Sequence, residues 1–305
     1  MPKLETISPH SVALRGELRS NEPLADYTSW HVGGVARQFY KPADLNDLSN
    51  FLLSLTATEY LVWLGLGSNV LIRDGGVAGT VIYTQGCLKE LELTEEQCVR
   101  AEAGVTCAKL AKFCARQRFA QGAFFAGIPG TVGGALAMNA GAFGGETWSH
   151  VVAVETIDRH GVIRKRLPAE FQIAYREVKR SQEEWFVAGH FRFPIGDEAQ
   201  ANVAIRELLR KRGESQPIGE FSCGSVFRNP PGDYAARLIE SCGLKGSKIG
   251  GAWVSTKHAN FIINGGEATA VDIESLIQLV QETVRQQTGV ELKPECHVIG
   301  EKLSS

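Results

Sequence analysis

Apolar positions recur along this chain in short stretches that switch period repeatedly, so the sequence predicts many brief elements. Leu45, Leu48, Leu52 and Leu55 fall on one helical face, and Asp44 stands where an N-cap belongs, which predicts a helix over 44–55. The run 60–73 reads as strand, glycine turn and strand, followed by a short strand at 81–84 and a hairpin over 91–103. A second helix spans 106–118 with Leu110, Ala111, Cys114 and Ala115 as its inner stripe. Segments 151–157 and 161–167 pair around a turn at 158–160, and a strand over 185–193 ends in the turn-rich cluster 194–197. Beyond it come a basic helix over 199–212, a short helix over 234–242 stopped by Gly243, and an extended stretch near 259–263. A long amphipathic helix follows over 270–287, with Ile273, Leu276, Ile277, Val280 and Val284 inward. The first twenty residues read as irregular and peripheral. There are no repeats and no sustained β-α-β alternation, so the fold class is α+β. The cluster 194–197 sets the expected boundary between a unit over 1–197 and a second over 198–305.

One segment obeys neither period. From Gly127 to Glu146, seven of twenty residues are glycine and only Glu146 is charged, against a background near about 7% glycine. Such density disfavours an ordinary helix or strand. It suits backbone that approaches a large ligand and points bare N–H groups at it. The competing readings are a flexible surface loop or a Gly/Ala packing seam, although surface loops of this kind are normally polar.

Composition narrows the classes. The chain has 305 residues, 44% hydrophobic and 22% charged, with a formal net charge of −2. That is a soluble globular composition without the basic field of a nucleic-acid coat or a membrane-surface binder. The first residues lack a signal-peptide layout and no apolar run approaches about 18 residues, so the expected location is the cytoplasm. Seven scattered cysteines form no C-x-x-C pair, and the seven histidines show no H-E-x-x-H spacing. No metal is expected.

Several motifs carry candidate chemistry. Gly65-Leu-Gly-Ser-Asn69 sits between two apolar strands, with Val70 where a dinucleotide fingerprint needs its third glycine. No P-loop occurs either. A small-residue turn between strands can still form a nest of N–H groups, and together with the glycine-rich run it can clamp an extended dinucleotide. In Gly224-Ser-Val-Phe-Arg-Asn-Pro-Pro231, Ser225 has no neighbouring histidine and no G-x-S-x-G context, which disfavours a hydrolase nucleophile. A turn serine that caps backbone is the plainer reading. Arg228 and Asn229 suit either a bound carboxylate or phosphate, or a solvated turn. Arg176 and Glu295 are unremarkable on spacing alone. His31 reads as a packed histidine or a flavin tether, and His258 as a ligand contact or a structural group.

Taken in order, these segments resemble the UDP-N-acetylenolpyruvoylglucosamine reductase family. The markers are His31-Val-Gly-Gly34, Gly65-Leu-Gly-Ser-Asn69, Gly127-Ile-Pro-Gly-Thr-Val-Gly-Gly134, Asn139-Ala-Gly141, Ala174-Tyr-Arg176, Gly224-Ser-Val-Phe-Arg-Asn-Pro230 and Leu292-Lys-Pro-Glu295. The resemblance runs from about Asn21 to Gly300. It implies an FAD-binding module of the vanillyl-alcohol oxidase type, with α+β lobes over about 21–86 and 87–197, followed by an α+β substrate-binding domain.

The FAD is expected noncovalently, with Gly65, Gly67, Ser68, Asn69, Gly127, Ile128, Pro129, Gly130, Thr131, Gly133, Gly134, Asn139 and Gly141 as its contacts. NADPH is the implied co-substrate and the enolpyruvyl ether of UDP-N-acetylglucosamine the substrate. Ser225 is the implied proton donor, and Arg176 and Glu295 the groups that stabilise developing charge. Asn229, Arg228, Lys257 and His258 are expected substrate contacts, and the protein is expected to be monomeric, without nucleic-acid or membrane partners. Arg206, Arg210, Lys211, Arg212, Lys245, Lys248 and Lys257 are cations available to phosphates. The chain departs from the family pattern at Leu66, Lys293, Cys296 and His297. The separation of 49 positions from Arg176 to Ser225 matches the shorter class that lacks an inserted, tyrosine-bearing substrate loop. Two other readings stay open: an FAD-linked oxidase of an alcohol or hydroxy acid on the same module, and a non-catalytic nucleotide-sugar binder.

Overall fold

The computed structural model describes residues 13–303. Its first sheet has four strands in the order Glu17–Pro23, Val35–Lys41, Val77–Tyr83 and Leu61–Leu64. The outer pair is antiparallel and the other two pairings are parallel. The helix Leu45–Ser54 covers it, capped by the Asp44 carboxylate, which accepts the Asp47 N–H. Its buried Leu48, Phe51 and Leu52 pack with Tyr40 and Ile82. Leu61–Leu64 is an edge strand, and this edge faces the second lobe.

The second sheet is antiparallel throughout, in the order Ile163–Arg166, Val151–Asp158, Glu184–Phe191, Val99–Glu102 and Leu91–Leu93. The helix Cys107–Arg116 buries the predicted stripe, Leu110, Ala111, Cys114 and Ala115, in the core beside this sheet. The helix Glu198–Ser215 also packs here, on Cys107–Arg116 and on the turn Gly122–Gly127, with Ile205 buried in the same core. The boundary expected at 194–197 therefore divides this helix from the lobe it packs against. The turn cluster marks a break in secondary structure, and the packing of this lobe continues across it.

The third unit joins the helices Ala235–Ser241 and Ala270–Thr288 to a small antiparallel sheet, Lys248–Ile249, Ala252–Val254 and Ile262–Asn264. All five expected inward residues of the long helix are buried. This core reaches into the first lobe, because Trp30, Val32 and Leu71 belong to it. The Trp30 indole donates to the Ile262 carbonyl at 2.8 Å and the Asn264 amide donates to the Trp30 carbonyl at 2.7 Å. Asp74 accepts the first N–H groups of the long helix, those of Ala270 and Val271, at 3.0 Å each. Arg73 pairs with Glu274 at 2.8 Å. Finally His297–Ile299 returns to lie parallel with Val70–Ile72.

Two expectations need correction. Residues 17–20, read as irregular, belong to the strand Glu17–Pro23 at the edge of the first sheet; residues 1–12 lie outside the described residues. The glycine-rich run contains a helix, Val132–Met138, which glycine content disfavours. It forms because Thr131 caps it through the Gly134 N–H, Val132, Ala135 and Leu136 are buried, and Asn139 ends it at φ +46°. Tertiary burial outweighs propensity over so short a span. No helix of the described residues is long and apolar enough to cross a membrane.

Candidate active site

A cleft of about 620 Å³ opens where the edge strand Leu61–Leu64, the glycine-rich run and the third unit meet. Gly65, Gly67, Ser68 and Asn69 line one wall, and Gly127, Ile128, Pro129, Gly130, Thr131, Gly134 and Gly141 line the facing one. The two loops touch: a Cβ at Gly65 would collide with the Thr131 hydroxyl, so only glycine permits this approach. No protein acceptor among the described residues takes the backbone N–H of Gly65, Leu66, Gly67, Ser68 or Asn69. Five successive free donors beside a second small-residue loop are a cradle for an anionic, elongated group. Gly133 and Asn139 lie outside the lining. Gly133 donates its N–H to the Ala103 carbonyl at 2.9 Å, away from the cleft.

Asn139 acts one step back. It is 1% exposed and its side chain is fully engaged. The amide donates to Glu146 at 3.0 Å and to the Ala174 carbonyl at 3.1 Å, while its oxygen accepts the Trp148 N–H at 3.1 Å. Its own carbonyl and that of Gly141 accept the Arg176 guanidinium, at 3.3 and 2.8 Å. Arg176 itself has φ +55°, a left-handed conformation uncommon outside glycine, asparagine and aspartate. Asn139 thus ties the 174–176 segment, and with Gly141 it holds the guanidinium.

Arg176 Nε approaches Glu295 Oε1 to 3.1 Å, with both side chains largely shielded. The contact is not aligned as a hydrogen bond, and Nε stays without an acceptor. Burial pushes the Glu295 carboxyl above the ordinary carboxylate range; Arg176 and then Arg228 pull it back without cancelling that effect. The Glu295 backbone is fixed on both sides, its N–H donating to the Val226 carbonyl at 2.7 Å and its carbonyl accepting the Asn69 amide at 3.0 Å.

Ser225 lies across from this pair on the same cleft and is half-buried. Gly224 precedes it at φ +81°, with open space where a Cβ would stand, so the turn depends on backbone freedom. The segment after it is clamped by Asn260, whose carbonyl accepts the Val226 N–H at 2.9 Å. The Asn260 side chain accepts the Phe227 N–H at 2.9 Å and donates to the Phe227 carbonyl at 2.8 Å.

The four expected substrate contacts separate. Asn229 lines the cleft and accepts the Ala235 N–H at 3.1 Å, at the start of a helix. Arg228, Lys257 and His258 do not line it. Arg228 acts on Glu295 from behind, with Nε buried and without an acceptor. Lys257 turns outward to the Gly213 carbonyl at 2.6 Å. His258 accepts the Asn260 N–H at 3.3 Å and rests on Phe261, so it supports the clamp on 226–227. His31 packs on the Phe221 ring at 4.2 Å, outside the lining.

Of the seven cations considered for phosphates, Arg212 alone borders the cleft. It has no acidic partner among the described residues, donates to Gln216 at 3.0 Å, and its pKa is lowered by burial. Trp63 and Trp185 also line the cleft, and no sequence motif pointed to them; Phe143, inside the glycine-rich run, lines it as well. Among the described residues, no group of three or more His, Cys, Asp and Glu side chains is arranged for a metal ion.

The donor-rich loops that face each other across the cleft, with the shielded Arg176 beside them, fit a dinucleotide cofactor. A family model described as an FAD binding domain matches residues 36–165. Another, described as the C-terminal domain of UDP-N-acetylenolpyruvoylglucosamine reductase, matches residues 216–299. Fold and site together define an FAD-binding flavoprotein with a reductase-type C-terminal domain. The chain is 60% identical to the UDP-N-acetylenolpyruvoylglucosamine reductase of Coxiella burnetii (strain Dugway 5J108-111), over 94% of this chain and 97% of that protein. It is 58% identical to that of Legionella pneumophila (strain Paris), over 96% and 97%. The crystal structure of the enzyme from Thermus caldophilus matches with a TM-score of 0.79 at 31% identity, covering 93% of this chain and 98% of that one. The chain belongs to the UDP-N-acetylenolpyruvoylglucosamine reductase family.

Because Asn139 is buried and its side chain holds three partners, Asn139→Ala should lower unfolding free energy by about 2–3 kcal/mol in denaturant titrations. It should also free the Ala174 carbonyl, loosen the 174–176 segment that carries Arg176, and depress turnover. Unchanged stability would remove Asn139 from this role.

Proposed function

We propose that this chain is an FAD-dependent oxidoreductase that reduces UDP-N-acetylenolpyruvoylglucosamine for peptidoglycan synthesis, with NADPH as electron source. The observation that carries the reading is the convergence of Arg176, Ser225 and Glu295, from three distant parts of the sequence, on one cleft beside the donor-rich loops. We further assign it to the cytoplasm as a monomer, with the substrate-binding unit starting near residue 216, after the helix that packs on the second lobe.

The loops at 65–69 and 127–134 would hold the pyrophosphate of the cofactor. FAD, when bound there, supplies hydride transfer from a reduced nicotinamide to the enolpyruvyl carbon. Addition of hydride to the terminal methylene leaves an electron pair on the adjacent carbon, delocalised into its carboxylate. Arg176 is fixed by two carbonyls before this charge appears, so it stabilises the developing anion without reorganising. Glu295, held toward its neutral form by burial, donates a hydrogen bond to the same oxygens instead of repelling them. Ser225 delivers its hydroxyl proton to the carbon. An alcohol is a weak acid, but a carbanion of this kind is a strong enough base to take that proton, and solvent returns it to the half-buried serine. Asn229 and Arg212 stand where the remaining polar and phosphate groups of the substrate can reach them.

Ser225→Ala should leave reduction of the flavin by NADPH near its normal rate and slow reduction of the enolpyruvyl substrate roughly 10²–10⁴-fold. Stopped-flow absorbance resolves the two halves, and equal loss in both would contradict the assignment. The sign for Glu295 follows from its raised pKa. Activity that needs the neutral acid is complete below that pKa and falls as pH rises through it. Glu295→Gln should therefore keep partial activity and lose this alkaline limb in a kcat profile. A persisting limb would assign the titration to another group.

A further inference from the structure

The helices Cys107–Arg116 and Glu198–Ser215 leave a groove of about 410 Å³ between them, and none of its lining residues borders the cleft. Lys109, Lys112 and Arg116 stand three and four positions apart along one wall, so their cations follow one another on a single helical face over about 10 Å. Arg206 lines the facing helix, with Leu209 three positions on and Asn202 four positions back. All four cations are exposed, and among the described residues none lies within ion-pair distance of a carboxylate. Arg210, on the same helix but outside the groove, does pair, with Glu214 at 2.6 Å. Glu198 is the one acid in the lining. A chain with a formal net charge of −2 thus gathers four unpaired cations in one concavity.

The helix Glu198–Ser215 adds a second observation. Of its eighteen residues Ile205 alone is buried, while Val203 and Leu209 are 45% and 44% exposed. A helix in a folded protein gains most of its stability from packing an apolar face, and this one has apolar surface left uncovered. Leu209 and the aliphatic stems of the lysines give the groove apolar surface beside its charges. The lining holds no aromatic ring on which a base could stack, and Glu198, Glu207 and Glu214 flank the cations along the helix, which disfavours a phosphate backbone. A helix with apolar residues on one face and carboxylates along its edges matches both the charge and the apolar surface.

We propose that this groove is a docking surface for an acidic amphipathic helix of a partner protein, with Lys109, Lys112, Arg116 and Arg206 pairing its carboxylates and Leu209 taking an apolar side chain. The surface lies apart from the cleft and is independent of the reductase reading.

The test is photocrosslinking in growing cells of the parent organism, with p-benzoylphenylalanine replacing Asn202 in the full chain. The same replacement at Leu53, which is 64% exposed on the helix Leu45–Ser54, is the control. Asn202, and not Leu53, should give an adduct with one protein, and mass spectrometry should place the link in a segment of net negative charge with apolar residues three and four apart. Lys112→Glu combined with Arg116→Glu should cut the adduct about tenfold or more while turnover by the purified holoprotein stays unchanged. Lys112→Gln with Arg116→Gln only neutralises exposed cations; it should cut the adduct several-fold, and it carries the test if the reversal impairs folding. A synthetic copy of the linked segment should bind purified holoprotein in a polarisation titration and weaken as salt rises. No adduct at Asn202 beyond that at Leu53, or a yield indifferent to both double variants, would overturn the proposal. So would a link to a second copy of this chain, to RNA or to a segment without excess acid.

Discussion

The site depends on how the C-terminal strand is threaded back between the other units. Glu295 lies in extended backbone that bonds to Val226 on one side and to Asn69 on the other, at 2.7 and 3.0 Å. The next residues pair with Val70–Ile72. Three segments more than sixty residues apart in sequence are thereby locked in register. The glycine turn at 65–69, the Ser225 turn and the Glu295 backbone cannot move independently. Asp74, Arg73 and Trp30 reinforce the same junction from the first lobe, so the loops that wall the cleft are anchored to packed elements.

Within that frame, electrostatics at Arg176 and Glu295 are a contest between desolvation and attraction. A carboxyl 3.1 Å from a guanidinium would normally ionise readily. Here burial prevails and the carboxyl is shifted the other way. The arrangement leaves a positive charge facing the cleft with an acid that need not cancel it. Such a site suits an anion that gains charge during reaction, because the cation is already oriented by the Asn139 and Gly141 carbonyls.

Much of this was legible from the sequence, and the exceptions have physical causes. The amphipathic helices were readable because each buries one stripe, as Ile273 to Val284 do. The strand Glu17–Pro23 was not, because as an edge strand it buries none of its residues fully. The glycine-rich run announced a ligand but concealed the helix Val132–Met138, whose stability comes from burial and capping. Arg176 and Glu295 carried no local signal; ordered motifs over most of the chain were needed to select them. Lys257 and His258 lay near the right segment in sequence, yet one points outward and the other braces Asn260. Trp63 and Trp185 sit 122 positions apart, and only the packing of two lobes brings them together.

The most direct measurement is an anaerobic absorbance spectrum of the purified holoprotein. NADPH should bleach the flavin band, and enolpyruvyl-UDP-N-acetylglucosamine added afterwards should restore it with formation of the reduced sugar nucleotide. A flavin that NADPH bleaches but that only oxygen restores would contradict the account and favour an oxidase on the same fold.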